Sequence, residues 1–445
     1  MSLRISVIGT GYLGATHAAC MAELGYDVIG VDVDKEKLAA LAAGILPFHE
    51  PGLPELLRKH VGSGRLRFTD SYELAANEAD IHFITVGTPQ RADGHGADMQ
   101  YVDDSVDSLL EHITGEALIV GKSTVPVGTA RRLAARIADR ARPGSEVALA
   151  WNPEFLREGF AVKDTLSPDR LVYGVDGQQP LALLRRVYAP ILSAGTPEVV
   201  TDWETAELVK VAANAFLATK ISFINAFAEV TETVGGDIKT LADAIGHDAR
   251  IGRKFLNAGV GFGGGCLPKD IRALQARVSE LGLSHTMGFL AEVDQINLRR
   301  RDRVVSLAQS MLGGQLPGKR VGVLGVTFKP DSDDVRDSPA LDVAVRLFNA
   351  GAEVSVYDPQ GNANAAGRFP RLNYVESWQE AAQDADVVLL LTEWQEFRQL
   401  QPEELAEVVA ERRLIDGRNV LDRAAWREIG WDITGPGEKY PQEEL

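Results

Sequence analysis

The chain has 445 residues, 45% of them hydrophobic, and its 46 Lys and Arg against 63 Asp and Glu leave a formal net charge of −17. That length exceeds one ordinary core and predicts two or three domains. The acidic balance argues against a nucleic-acid face or an anionic membrane partner, but not against a small phosphate-bearing ligand, which needs only local positive charge. The two cysteines, Cys20 and Cys266, lie far apart in different contexts, so a reducing cytoplasm is expected and a structural disulfide is not. The opening MSLRISVIGTG lacks the apolar core and cleavage site of a signal peptide, and no apolar run is read as membrane-spanning.

Residues 3–8 read as a buried parallel strand, followed at once by Gly9-Thr10-Gly11-Tyr12-Leu13-Gly14, a helical ATHAACMAELG and a second strand, YDVIGVD. This is a βαβ unit with a dinucleotide fingerprint. Gly9 makes the turn, Gly11 admits a pyrophosphate, and Gly14 lets helix and strand pack. Asp32 ends the second strand where a carboxylate binds the adenosine ribose and repels a 2′-phosphate, which predicts NAD over NADP. Residues 78–89 give a fourth strand and a glycine loop, and ALIVGKSTVPVGTARRLAARI gives a strand, a loop and a helix. Thr88 and Thr124 therefore lie beyond carboxyl strand ends, where ligands of such sheets sit. In NPEFLREG, residues 152–159, Glu154 and Glu158 share a face if the segment is helical.

From Trp203 to about Val234 apolar residues recur at helical spacing, with Lys210 and Asn214 on one stripe, and a second long helical pattern runs from about Met287 to Leu312. Arg250, Arg253 and Lys254, flanked by Phe255 and Phe262, form a basic cluster that suits an anionic ligand or a surface ion-pair patch. GFGGGCLPKD, residues 261–270, follows. Adjacent glycines permit close backbone approach, and Pro268 suits the first position of a helix. Cys266 then sits just outside a helix N-terminus, where the dipole and Lys269 favour a thiolate.

GKRVGVLGVTFKP, SPALDVAVRLFNAG and AEVSVYDP repeat strand, glycine turn, helix and strand, and residues 384–393 mirror 78–87. The glycine turn is degenerate, and Asp358-Pro359 is a weak match to the acidic strand end. The predicted fold is α/β: two Rossmann-like doubly wound domains joined by a helical central domain with a long helix. Residues 1–200 are expected to bind NAD, 201–312 to dimerise, and 313–445 to bind a different nucleotide ligand.

The ordered motifs GTGYLG, STVPVGT (123–129), NPEFLREG, LVKVAAN (208–214), Arg250-Ile251-Gly252, GFGGGCLPKD and FKPD (328–331) with Arg336 closely resemble the UDP-glucose/GDP-mannose dehydrogenase family, from Ile5 to about Val420. The resemblance implies an NAD-dependent oxidation of the UDP-glucose C6 alcohol to a carboxylate, with two NADH formed and a homodimer or larger homo-oligomer. It implies Cys266 as nucleophile, through a thiohemiacetal and a thioester. Lys210 and Asn214 would stabilise oxyanion charge, Glu154 would activate the hydrolytic water, and Thr124 and Asp270 would position water and move protons. Gly9, Gly11, Tyr12, Leu13, Gly14, Asp32, Lys37, Thr88, Thr124, Glu158, Lys269 and Arg336 would contact the cofactor. Glu154, Phe155, Leu156, Lys210, Asn214, Arg250, Phe255, Phe262, Gly263 and Lys329 would contact substrate, with Arg250 reaching a neighbouring subunit. No metal is expected. Gly265 departs from the serine or lysine common before the cysteine and is expected to loosen the loop. The tail after about Gly435 matches nothing and is expected to be poorly ordered. The nearest rival is the GDP-mannose branch. A single-step hydroxyacid dehydrogenase would need no cysteine, and an NAD-sensing module would need none of the catalytic set.

Overall fold

Apolar runs bounded by glycine turns become strands buried on both faces, the pattern of parallel sheets covered by helices. The computed structural model describes residues 3–440. The chain divides into two units, Met1–Ala213 with Arg272–Gly282 and Asn214–Ile271 with Leu283–Leu445. In the first, strands β1 (Arg4–Ile8), β2 (Asp27–Val31), β3 (Leu66–Thr69), β4 (Ile81–Ile84), β5 (Glu116–Gly121), β6 (Glu146–Trp151), β7 (Leu171–Val175) and β8 (Glu198–Thr201) form one sheet. Its order is β3-β2-β1-β4-β5-β6-β7-β8. Ile5 and Val7 enter one core layer, and Ile8 enters the opposite layer with Ile84 and Ile119.

One pairing departs from the expected parallel sheet: β6 and β7 run antiparallel, with Ala150 opposite Val175 and Trp151 opposite Gly174. The connection between them holds only the short helix Ala161–Leu166, so the chain re-enters the sheet from the end at which it left. Residues 152–160 consequently stay at the carboxyl edge, beside the glycine turn. They are not helical, so the condition under which Glu154 and Glu158 would share a helix face is not met.

In the second unit, β9 (Arg320–Leu324), β10 (Glu353–Tyr357), β11 (Asn373–Tyr374), β12 (Val387–Leu390), β13 (Arg413–Asp416) and β14 (Asp432–Thr434) pair in the order β11-β10-β9-β12-β13-β14. The first six strands of the other sheet have the same order, and the echo extends to single bonds. Gly9 N donates to Val31 O at 2.7 Å, and Gly325 N donates to Tyr357 O at 2.8 Å. Arg4 N donates to Asp80 Oδ2 at 2.9 Å, and Arg320 N donates to Asp386 Oδ2 at 2.9 Å. The acidic strand ends correspond too: Asp32 accepts from the Thr10 amide and hydroxyl, and Asp358 from those of Thr327. Asp358 also accepts from Val326 N and Gly361 N and is buried, so its carboxylate serves the fold.

Among the described residues no strand lies between β8 and β9. That stretch holds the helices Trp203–Val234, Ile238–Gly246, Leu267–Glu280 and Phe289–Met311. Pro268 occupies the second helical position, one later than expected, where its missing N–H is equally harmless. Arg300 is fully buried on the last of these helices and pairs with Glu232 at 3.0 Å, which also receives Arg303 at 2.7 Å.

Two expectations are corrected here. Trp203–Val234 does contain a window long and apolar enough to cross a membrane by length and composition, with mean hydropathy 1.3 and 44% of it buried within the protein. The residues after Gly435 pack rather than fray, as far as they are described. Gly437 N donates to Glu232 Oε1 at 2.8 Å, Thr231 Oγ1 donates to Gly437 O at 3.0 Å, and the Tyr440 ring is buried. Residues 441–445 lie outside the described residues.

The helix Thr129–Arg140, which follows STVPVGT, has no side-chain cap of its own. Glu207, buried on the long helix, accepts from Gly128 N and Ala130 N at 2.6 Å each. Burial pushes its carboxyl from 4.5 up to about 7, although the two amides favour the anion. A carboxyl raised in the folded state stabilises below its unfolded pKa, and that contribution is lost as pH rises through the folded one. Wild-type stability should therefore fall between about pH 4.5 and about pH 7 by up to about 3 kcal/mol from this group. Glu207→Gln stays neutral and should flatten that slope in urea unfolding; an unchanged slope would remove Glu207 as its source.

Candidate active site

The glycine turn of the first unit leaves a cradle. A Cβ at Gly9 would meet Val86 at 2.7 Å, and one at Gly14 would meet Gly9 O at 1.8 Å, whereas one at Gly11 would meet nothing within 4 Å. Gly11 precedes the helix Tyr12–Glu23 without a side-chain cap. Uncapped amides beside open space suit a pyrophosphate, so the residues present fit a dinucleotide. Leu13 lies in the first turn of that helix.

Asp32 ends β2 in the predicted place, bonded to the protein on both oxygens. Oδ2 accepts from Thr10 N at 2.8 Å and Lys37 Nζ at 3.0 Å, and Oδ1 from Asp34 N at 3.1 Å. Burial pushes its carboxyl up, but the bonds from Asp34, Lys37 and Thr10 more than offset this and hold it below the usual range. The structure thus joins Asp32 and Lys37 directly. Thr88 Oγ1 donates to Thr124 O at 2.8 Å, which brings that pair together as well.

Sequence reasoning missed Glu50. It is almost fully buried, receives the Tyr12 hydroxyl, and accepts from Gly159 N at 2.6 Å and Ala161 N at 2.7 Å. It ties the glycine turn to the end of NPEFLREG, on the side where Glu158 acts electrostatically on Tyr12. The signal was its position in HEPG, an acid before a turn.

Glu154 goes the other way. Its Oε1 lies 3.0 Å from Lys210 Nζ and its Oε2 accepts from Leu156 N at 2.6 Å. Phe155 packs beside this pair, its ring centroid 5.7 Å from Lys210 Nζ and 3.8 Å from the Arg170 guanidinium. A second buried lysine, Lys122, donates to Asn152 Oδ1 at 2.9 Å. Burial lowers its ammonium to about 8; Glu154 opposes the shift and Lys210 adds to it. Two lysines and one carboxylate thus share a region of low solvent access, where Coulomb interactions are strong.

The second unit holds the cysteine. Cys266 is exposed and immediately precedes the helix Leu267–Glu280, its carbonyl accepting the Asp270 amide at 2.9 Å. Asp270 is buried; Oδ2 accepts from Asn214 Nδ2 at 2.7 Å, and Oδ1 lies 3.0 Å from Lys269 Nζ. The glycines before Cys266 are filled by the protein itself. A Cβ at Gly263 would lie 2.3 Å from Asp337 O, at Gly264 2.9 Å from the Phe328 ring, and at Gly265 2.5 Å from Arg336 Cζ. A side chain at Gly265 would therefore have to displace only the flexible end of Arg336. Asn297, also missed, accepts from Phe262 N at 2.8 Å and donates to Phe262 O at 2.9 Å. Arg418 donates to Gly261 O at 2.9 Å and Phe328 O at 3.0 Å.

The basic cluster divides. Arg250 is exposed and bonded to Asp248, Arg253 pairs with Asp243, and Phe255 adopts a left-handed backbone at φ 65. Lys329 lies over the Phe328 ring at 5.4 Å, and Arg336 is paired with Asp334 at 2.7 Å.

Comparison with known proteins agrees with this architecture. The NAD binding domain, central domain and UDP binding domain of the UDP-glucose/GDP-mannose dehydrogenase family match residues 3–192, 204–299 and 322–423. UDP-glucose 6-dehydrogenase of Rickettsia conorii is 42% identical over 98% of this chain and 100% of its own. That of Rhizobium meliloti is 42% identical over 98% of this chain and 99% of its own. A solved UDP-glucose dehydrogenase from Pyrobaculum islandicum superposes with a TM-score of 0.90 at 37% identity, covering 99% of this chain and 98% of that one. The chain belongs to the UDP-glucose/GDP-mannose dehydrogenase family and is an NAD-dependent dehydrogenase.

Proposed function

We propose that the protein oxidises the C6 alcohol of UDP-glucose to the carboxylate of UDP-glucuronate, with Cys266 as a covalent nucleophile. The observation that carries this is an exposed cysteine at a helix N-terminus, one turn from a buried aspartate held by Asn214 and Lys269. Full-length similarity to proteins named UDP-glucose 6-dehydrogenase supports the substrate.

NAD⁺, which Gly9, Gly11, Gly14 and Asp32 would hold, would supply the hydride acceptor for each of two oxidations. The alcohol first loses a hydride and a proton to give the aldehyde. The Cys266 sulfur adds to C6, and the carbonyl oxygen takes a proton, giving a thiohemiacetal. Loss of a second hydride from C6 and of the hydroxyl proton gives a thioester. Water then adds, and the tetrahedral adduct expels the thiolate. The sulfur is needed because it turns an aldehyde into a hydride donor and prevents its escape. Lys210, ion-paired with Glu154, is suited to hold negative charge on the C6 oxygen. Glu154 is suited to take the proton of the hydrolytic water. Asp270 and Thr124 assist the proton transfers, and Asn214 orients Asp270 through its amide.

The finer assignments belong to the same proposal. Gly9, Gly11, Gly14, Asp32 and Lys37 hold the cofactor, while Arg250, Phe255, Phe262, Gly263 and Lys329 bind the UDP-sugar. Residues 1–200, 201–312 and 313–445 act as NAD-binding, dimerising and UDP-binding parts in the cytoplasm. A homodimer is supported by Phe216, Phe223, Phe227, Val230 and Val234, an exposed apolar stripe on the long helix. Such a stripe is the usual face of a helix–helix contact.

Two outcomes follow. Completed reactions should yield two NADH per UDP-glucose, and Cys266→Ser should nearly abolish turnover while UDP-glucose still binds. The cause is that a serine hydroxyl ionises far less readily than a thiol. Cys20, fully buried on the first helix, should tolerate Cys20→Ser with a packing loss of about 1–3 kcal/mol and retained chemistry. Near-wild-type NADH production by Cys266→Ser would rule out the covalent route. The other outcome concerns Asp32: kcat/KM for NAD⁺ should greatly exceed that for NADP⁺, and Asp32→Ala should narrow the gap. Equal values in the wild type would remove Asp32 as the discriminating group.

A further inference from the structure

The second unit contains a cavity of about 390 Å³ that the proposed chemistry does not use. It is lined by the start of the helix Ile238–Gly246, by Asn419, by the helix Arg423–Glu428 and its neighbours, and by residues 437–439. Its cations are Lys239, Arg423, Arg427 and Lys439, and its carboxylates are Asp237 and Glu438. Asp237 is engaged in capping its helix through Thr240 N. Glu438 bridges the two arginines, with Oε2 2.8 Å from Arg423 Nη1 and Oε1 2.6 Å from Arg427 Nη2. Lys239 donates to the Leu421 carbonyl at 3.2 Å and has no carboxylate partner among the described residues. Burial pushes its ammonium down and the nearby Arg423 adds to this, while Asp416, Asp237 and Asp422 oppose it. Arg423 Nε is buried without a hydrogen-bond partner.

The wall that supplies Glu438 is built into the fold. Gly437 has φ +91, and a Cβ there would meet Ile238 at 2.4 Å. Its amide and carbonyl are held by Glu232 and Thr231, and Pro436 O accepts from Asn419 Nδ2 at 3.0 Å. Asn419 also donates to Ala258 O at 2.9 Å, and its neighbour Arg418 donates to Gly261 O at 2.9 Å, so this wall continues into the loop that carries Cys266. The carboxylate is thus presented to two guanidiniums by a fixed backbone.

We propose that this cavity binds a small phosphate-bearing anion, and that Glu438 is the internal carboxylate which that anion displaces. Paired guanidiniums match the oxygens of a phosphate as well as those of a carboxylate, and a diphosphate carries more charge than Glu438 does. Lys239 and Lys439 supply the additional positive charge. None of these residues belongs to the proposed cofactor, sugar-nucleotide or cysteine sites, so the inference stands apart from the activity.

Inorganic pyrophosphate is titrated calorimetrically into the full-length protein at constant ionic strength, with NAD⁺ and UDP saturating so that the nucleotide sites are filled. Glu438→Gln keeps the shape of the side chain but frees the arginines, and should tighten pyrophosphate binding about fivefold or more. Lys439→Ala alters an exposed side chain and should weaken it about threefold or more. A purely structural tail contact predicts the opposite for Glu438→Gln, a looser site and weaker binding. Unchanged affinity in Lys439→Ala overturns the proposal whatever Glu438→Gln does. Unchanged or weaker binding in a Glu438→Gln protein that retains its melting transition overturns it as well.

Discussion

A loop that admits only hydrogen at its α-carbons sets the position of the cysteine. At Gly261, Gly263, Gly264 and Gly265 a methyl group would fall 2.5, 2.3, 2.9 and 2.5 Å from Asn297, Asp337, Phe328 and Arg336. At Gly263 and Gly264 relief would move backbone or a packed ring, and Gly261 and Gly264 also hold positive φ, whereas at Gly265 the flexible end of Arg336 can swing aside. Asn297 and Arg418 take up the Phe262 and Gly261 polar groups that this approach would otherwise strand. Cys266 emerges at the end of this fixed segment, at the start of a helix and open to solvent. A nucleophile that must meet one carbon atom gains from such rigidity, because freedom in the loop would have to be lost again at each turnover.

Buried charge is the second organising feature. Lys210 and Glu154 are nearly closed to solvent and 3.0 Å apart, and Asp270 is shared between Asn214 and Lys269. Pairs of this kind contribute little net stability, since desolvation of each ion opposes their attraction. In the proposed mechanism their use is chemical. A lysine held in place by a carboxylate is a preorganised partner for an oxyanion, and an aspartate with one orienting amide has a defined free direction. Lys122, lowered to about 8 by burial, lies close enough to the Lys210–Glu154 pair that Lys210 adds to that shift and Glu154 opposes it. The fold supplies these groups from segments that follow strands, from the long helix and from the first turn of the helix Leu267–Glu280.

Much of this was legible from short-range pattern. GTGYLG followed by a helix and Asp32 specified a Rossmann unit, and the repeat of that pattern near Lys319 specified the second sheet, whose strand order proved the same. The helical period placed the long helix at its observed limits, Trp203–Val234. Contacts between distant segments were not legible. The Glu154–Lys210 pair spans 56 positions of sequence, and no local period reports that their side chains meet. Asn297 sits in an ordinary amphipathic helix, and nothing nearby marks it as the partner of Phe262. A glycine run shows freedom in sequence, and the packing that confines Gly263 and Gly264 comes from Phe328, Asp337 and Pro339, residues far along the chain. The reversal at β7 was hidden for a related reason: a buried strand has the same composition in either direction.

The proposed covalent role of Cys266 and the proposed hydrolytic role of Glu154 can be separated in one experiment. Glu154→Gln keeps a hydrogen-bonding side chain beside Lys210 but cannot accept the proton of an attacking water. Mixed with UDP-glucose and NAD⁺, quenched in acid and examined by intact-mass and peptide analysis, this variant should accumulate an acyl adduct on the peptide bearing Cys266. The adduct should disappear with hydroxylamine, as thioesters do. Continued formation of two NADH per sugar with no mass added to that peptide would contradict the covalent mechanism.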